Sequence, residues 1–263
     1  MSMSQQGQVA RRTGPVLGSP IDALSWSEAV GRLVDWGARR DSRYVCIVNV
    51  HSVVTATQDS EFRSVIDQAD MSTPDGAPVA WALRHAGFSG QERINGPDLM
   101  WKYCAEAERL GQVVFFYGGT EQALEKLKQA LQRAFPRLRI GGLVSPPFRA
   151  LTAEEDQADV DRINAAGTAV LFVGMGCPKQ EKWMAAHRGR VQAVMVGVGA
   201  AFDYHAGTIK RAPLWMQRSG LEWFYRLMSE PRRLWKRYLV TNSIFVMRML
   251  PQVIAGRAAP RGR

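Results

Sequence analysis

Across 263 residues there are only three cysteines, Cys46, Cys104 and Cys177, and no CxxC pair. A disulfide scaffold is excluded, and a reducing compartment is expected. The four histidines, at 51, 85, 187 and 205, are too scattered to complete a zinc-type ligand set. No run of 18 apolar residues occurs, so no membrane-spanning helix is expected. The nearest candidate, Tyr238 to Leu250, is too short and carries Thr241, Asn242, Ser243 and Arg248. The first 20 residues have no apolar h-region and read as a flexible lead, not a signal peptide. There is no GKS/T phosphate loop, and the glycines of Val173–Glu181 match only the start of GxGxxG, because Lys179 stands at the third position. Acidic residues all but vanish at the C-terminal end. Residues 207–263 hold 12 Lys/Arg against Glu222 and Glu230, whereas residues 1–206 balance 22 against 22.

What is present is otherwise ordinary. Hydrophobic residues make up 46% and charged residues 22%, enough apolar material for a sizeable core. The whole +10 charge therefore resides in the last 57 residues. A neutral body with a basic end calls for an anionic partner: phosphate groups, acidic lipid headgroups or nucleic acid. Within that end, GLEWFYRLMSEPRRLWKRY (220–238) interleaves aromatics with cations, a composition that fits an anionic membrane surface or a nucleic acid. A packed helix with solvated arginines is the alternative. Neither a helix-turn-helix nor an RNP-type strand motif is visible.

The body alternates apolar runs with helical patterns. Strands are expected at Tyr44–Val50, Val113–Tyr117, Arg139–Leu143, Ala169–Val173 and Val191–Val198. Helices are expected over 51–68, Glu121–Ala134, 152–165, with Thr152 and Glu155 forming a capping box, and Lys179–His187. Continuous apolar strands alternating with helices imply an α/β, Rossmann-like, mostly parallel sheet with helices on both faces. The expected division is a lead (1–20), a catalytic body (21–206) and a basic helical C-terminal appendage (207–263). Ligands of such sheets bind at the C-terminal ends of the strands.

The loops at those ends carry the candidate chemistry. Gly118 and Gly119 follow a strand and precede a helix, where backbone N–H groups can approach a phosphate; a tight turn explains them equally. Gly174 and Gly176 lead into Pro178, Gln180 and Glu181. There an amide can read a base edge and a carboxylate can hold a ribose hydroxyl, unless both merely start a helix. Met71–Gly76 reads as a turn, with Asp75 a candidate base and Arg93 a candidate phosphate clamp, or half of a surface ion pair. Asp159 and Asp161 form a DxD, but within a helix i and i+2 diverge and cannot converge on one ion. No metal site and no cofactor are expected.

Taken together, VNVHSVV (48–54), PDG (74–76), ERINGPDLM (92–100), FFYGGT (115–120), VGMGCPKQEKWM (173–184), VGVGAAFDYHAG (196–207), KRAP (210–213) and GLEWFYRLMSEPRR (220–233) resemble, in order, the WecG/TagA/CpsF glycosyltransferases. The resemblance implies an inverting, metal-independent transfer of a hexose or N-acetylhexosamine from a UDP-sugar to a polyprenyl-diphosphate-linked sugar. It places the enzyme in cell-surface polysaccharide synthesis, cytoplasmic and peripheral to the inner face of the bacterial membrane. It makes Asp75 the catalytic base, puts Asn49 and Arg93 in the pocket and Gln180 and Asp203 near the uridine, and gives Arg226 and Arg233 the diphosphate charge. One position departs: the family often has Thr two residues before the Asn, and here Ile47 carries no hydroxyl. An inactive regulatory member of the same fold is the alternative within the family, and homo-oligomerisation stays open.

Overall fold

The computed structural model describes residues 11–258. The chain opens with a hairpin of β1 (Thr13–Val16) and β2 (Ser19–Asp22), joined through Leu17 and Gly18, both at positive φ. It continues through α1 (Trp26–Ala38), β3 (Arg43–Val48), α2 (Val50–Ala56), α3 (Ser60–Asp67), β4 (Met71–Pro74), α4 (Ala77–His85) and α5 (Gly96–Leu110). Next come β5 (Val113–Gly118), α6 (Glu121–Ala134), β6 (Arg139–Val144), α7 (Ala153–Ala165), β7 (Val170–Gly174), α8 (Lys179–Ala186), β8 (Val194–Gly197) and α9 (Ala201–His205). The last 50 described residues form α10 (Leu214–Arg218), α11 (Glu222–Ser229) and α12 (Pro231–Ala258).

Strands β3 to β8 make one parallel sheet in the order β4-β3-β8-β7-β5-β6. Both of its faces are covered, which is why its strands read as unbroken apolar runs. Alternate residues serve opposite cores. Tyr44, Cys46 and Val48 of β3, with Phe115 and Tyr117 of β5, pack under α2, α3, α4, α7 and α8. Val45 and Ile47, with Val114 and Phe116, pack under α1, α5, α6 and α9. The Rossmann-like expectation is met.

Three local readings are corrected. Residues 13–20, read as part of a flexible lead, are strands tied to the body; residues 1–10 lie outside the described region. Asp22 is buried and accepts from Arg11 Nε (2.9 Å), Arg32 (3.2 Å) and the Ser72 backbone N–H (2.7 Å). Four-residue strands containing proline and glycine leave too little alternation to be seen in sequence. The helix expected over 51–68 is two helices, because Asp59 caps a new one by accepting from Phe62 N–H at 2.9 Å. Met71–Pro74, read as turn, is the edge strand β4, where the proline is tolerated.

The C-terminal helices lie against the body. α12 packs on α2 and α4 and buries Leu234, Phe245 and Met249. At about 42 Å it exceeds the ~30 Å core of a bilayer in length, but among the described residues no helix is long and apolar enough to cross a membrane.

Candidate active site

The C-terminal ends of β3, β4, β7 and β8 open into a cavity of about 790 Å³, roofed by α11 and α12. Asn49, Asp75, Arg93, Gly176, Gln180, Glu181, Asp203 and Arg226 all line it. The fold thus gathers eight of the candidate residues from six separate segments.

Asp75 follows the end of β4. Its backbone N–H donates to Val48 O at 2.8 Å, so the loop continues the β3–β4 pairing and is held in place. Arg93 Nε donates to Asp75 Oδ1 at 2.9 Å, and Arg93 Nη1 lies 2.6 Å from Glu222 Oε2 of α11. Burial alone would pull this guanidinium down, but the Asp75 and Glu222 carboxylates outweigh it and hold Arg93 above its ordinary value. The surface ion pair considered for Arg93 is therefore a cavity ion pair with two carboxylates. Beside it, Arg211 clasps Asp98 through both guanidinium ends, joining KRAP to ERINGPDLM.

Asn49 caps α2: its Oδ1 accepts from Ser52 N–H at 3.2 Å, leaving the amide NH₂ end as its donor group toward the cavity. Gln180 is more committed than its sequence suggests. Its Oε1 accepts from the backbone N–H groups of Gly176 (3.1 Å) and Gly199 (3.0 Å), and its Nε2 donates to Glu181 Oε1 at 2.9 Å. It bolts the loops after β7 and β8 together and retains at most one N–H for a ligand. Glu181 is 1% exposed, and burial pushes its carboxyl up to about 7, against the pull of the Gln180 hydrogen bond. Its Oε2 has no hydrogen-bond partner in the protein. Asp203, on α9, accepts from Thr208 Oγ1 at 3.0 Å.

Arg226 of α11 stands over the Tyr204 ring at 5.6 Å, and its buried Nε has no protein hydrogen-bond partner. A buried guanidinium N–H without a protein partner, beside a cavity, is chemically able to donate to an anion.

Other candidates go elsewhere. Gly118, Gly119 and Gly174 are not among the lining residues. A Cβ on Gly118 would sit 2.7 Å from the Gly174 backbone, and one on Gly174 2.6 Å from the Phe202 ring. The close approaches of Gly118 and Gly174 let β5, β7 and α9 close on one another. Asp159 accepts from the Tyr117 hydroxyl and Asp161 from Gln157, so the DxD pair is split between two local bonds. The Arg233 side chain lies outside the described part of the structure.

The cavity also contains residues that motif reading passed over: His51, Trp81, Tyr204, Glu222, Trp223, Arg237 and Tyr238. Burial, with Arg237 nearby, lowers His51 to about 4, so it is neutral at physiological pH. Ile47 lines the cavity as well, so the departure from the family pattern falls on its wall. For Glu222 a signal did exist: it is one of only two acids in the last 57 residues.

Comparison with known proteins bears directly on this arrangement. A family profile described as "Glycosyl transferase WecG/TagA/CpsF family" matches residues 15–259, which takes in the hairpin, the sheet and the roofing helices alike. The N-acetylglucosaminyldiphosphoundecaprenol N-acetyl-beta-D-mannosaminyltransferase of Bacillus spizizenii is 33% identical over 198 residues, 74% of each chain. With the profile covering every element that builds the cavity, the chain belongs to the WecG/TagA/CpsF family and is a glycosyltransferase.

Proposed function

We propose that the chain transfers a hexose or N-acetylhexosamine from a UDP-sugar to a sugar on a polyprenyl diphosphate, with inversion at the anomeric carbon. The observation that carries this reading is the meeting of Asp75, Arg93 and Arg226 in one cavity: a carboxylate base and two cations, contributed by the sheet and by its roof. The relative's name supports a lipid-diphosphate acceptor.

Arg93 donates to Asp75 Oδ1, which leaves Oδ2 to accept the proton of the acceptor hydroxyl. As that proton moves to Asp75, the hydroxyl oxygen bonds to the anomeric carbon. The bond from that carbon to the diphosphate oxygen breaks, and UDP leaves with its electron pair. Arg226, with Arg93, meets the charge that develops on the diphosphate. In this reading Glu181 Oε2 and Asp203 accept ribose or uracil donors, and the spare Gln180 N–H meets a uracil oxygen. The exposed apolar and basic side chains of α10–α12 would set the enzyme on the inner membrane surface, where the lipid-linked acceptor resides.

Isothermal titration with UDP tests the donor site. UDP should bind, unaffected by Mg²⁺, while ADP should not. Loss of UDP binding both in solution and with phosphatidylglycerol vesicles would overturn the uridine assignment.

A further inference from the structure

Two contacts connect the C-terminal helices to the loop that carries Asp75. Gly220, just before α11, presses so closely on Ala77 that a Cβ there would come within 2.9 Å of the Ala77 methyl. Ala77 is the first residue of α4, two positions beyond Asp75. The second contact is the chain Asp75–Arg93–Glu222, at 2.9 and 2.6 Å. All three side chains are largely buried, so water screens this chain poorly. Glu222 also lies four residues before Arg226, which places both on one face of α11, toward the cavity.

An acid in this place needs a reason. It sits in a cavity proposed to receive a diphosphate, on the most basic segment of the chain, where its charge opposes the ligand. Its partner supplies the reason: Arg93 donates Nε–H to Asp75, while its Nη1 is ion-paired with Glu222 Oε2 without hydrogen-bond geometry. A guanidinium drawn by a carboxylate at each end swings less freely about its last torsions than one held at Asp75 alone.

We propose that Glu222 is a positioning residue that makes the orientation of Asp75 depend on the seating of α11, acting through Arg93. The inference rests on the reading of Asp75 as base. Seating α11 then does two things at once: it delivers Arg226 to the diphosphate and fixes the carboxylate that takes the acceptor's proton.

The test compares wild type, Glu222→Gln, Glu222→Asp and Asp75→Asn, as full chains. In hydrogen exchange without substrate, Glu222→Gln should speed exchange about tenfold at residues 75–84 as well as in α11, with β5 and β7 unchanged. In turnover of UDP-N-acetylmannosamine with N-acetylglucosaminyl-diphosphoundecaprenol in phosphatidylglycerol vesicles, Glu222→Gln should lower kcat about tenfold with donor KM within about twofold, and Glu222→Asp should recover most of the loss. Vesicle binding should be equal in all four. Unchanged exchange at 75–84 would overturn the proposal, and this readout decides it even if that donor and acceptor prove not to be substrates. Turnover in Asp75→Asn would sink the assignment of the base. An inactive Asp75→Asn beside a fully active Glu222→Gln would sink the coupling alone.

Discussion

The sheet body and the C-terminal helices share one cavity but differ in the balance of chemistry they bring to it. The body contributes the carboxylates of Asp75, Asp203 and Glu181, the amides of Asn49 and Gln180, and the cations Arg84 and Arg93; the roof contributes Arg226, Arg237, Trp223 and Tyr238, with Glu222 as its acid. Their surfaces differ in the same way. Twelve of the fifteen strongly exposed large apolar side chains among the described residues fall between Leu214 and Leu250, beside the unbalanced positive charge. The body buries its apolar residues on two faces of a sheet and so holds Asp75, the proposed base, rigidly. The roof leaves much of its apolar surface outward. Proton abstraction requires fixed geometry, and it is built on strand ends. Charge neutralisation tolerates more movement, and it is built on helices.

The largest effects should come from breaking one member of each set. Asp75→Asn keeps the shape but removes the proton acceptor, and general bases contribute about 10²–10⁴ in rate. Turnover should fall by that much with UDP affinity nearly unchanged. Arg226→Ala should also lower turnover, by about 10²–10³, but with weaker UDP binding, since this side chain is the one proposed to meet the diphosphate. Kinetics and UDP titration on the two variants sharpen the comparison. If both lost UDP affinity alike, the division between base and anion site would be wrong.

A second prediction isolates the body. Glu181 titrates near 7 in the folded chain against 4.5 for an ordinary glutamate, because burial disfavours its charge. The folded state therefore holds more protons than the unfolded state between those values. The stability this contributes is complete below pH 4.5 and is lost as pH rises through 7. Glu181→Gln removes that dependence, so the variant should gain roughly 3 kcal/mol on wild type between pH 4.5 and pH 8. Urea unfolding at the two pH values reads this directly. A constant difference would show that Oε2 is solvated or paired in solution.

How much of this was legible beforehand follows the same division. The parallel sheet was readable because doubly buried strands are unbroken apolar runs, as in Val113–Tyr117. The hairpin and β4 were not, since four-residue strands with proline resemble turns. Asp75 and Arg93 could be named, but not the ion pair of Arg93 with Glu222, which bridges segments far apart in the chain. Gly118 and Gly174 show a limit of another kind. A glycine that admits a phosphate and a glycine that admits a neighbouring strand look the same in sequence, and only the 2.7 Å approach separates them. Gln180 was found for its amide, yet most of that amide is spent on the backbone of its own loops.

The smallest effect concerns the outer surface of the roof. Trp235 and Leu239 are 55% and 62% exposed and four residues apart on α12, so they occupy one face, with Lys236 adjacent in sequence. Complete removal would be a poor probe, because Phe245 and Met249 of the same helix are buried against the body and their loss would open the core. Replacing Trp235 and Leu239 by Ser leaves those core contacts intact while removing exposed apolar surface from the proposed membrane contact. Each such side chain is worth about 1.5–3 kcal/mol when fully buried, and partial insertion yields less. Affinity for phosphatidylglycerol vesicles should fall about tenfold for the pair. Lys236→Glu should cost roughly as much again at low salt and less at high salt, because its attraction to the headgroups is screened. Vesicle binding that ignored both changes would place the membrane contact on the body, and the comparison between a buried sheet and an outward-facing roof would lose its functional meaning.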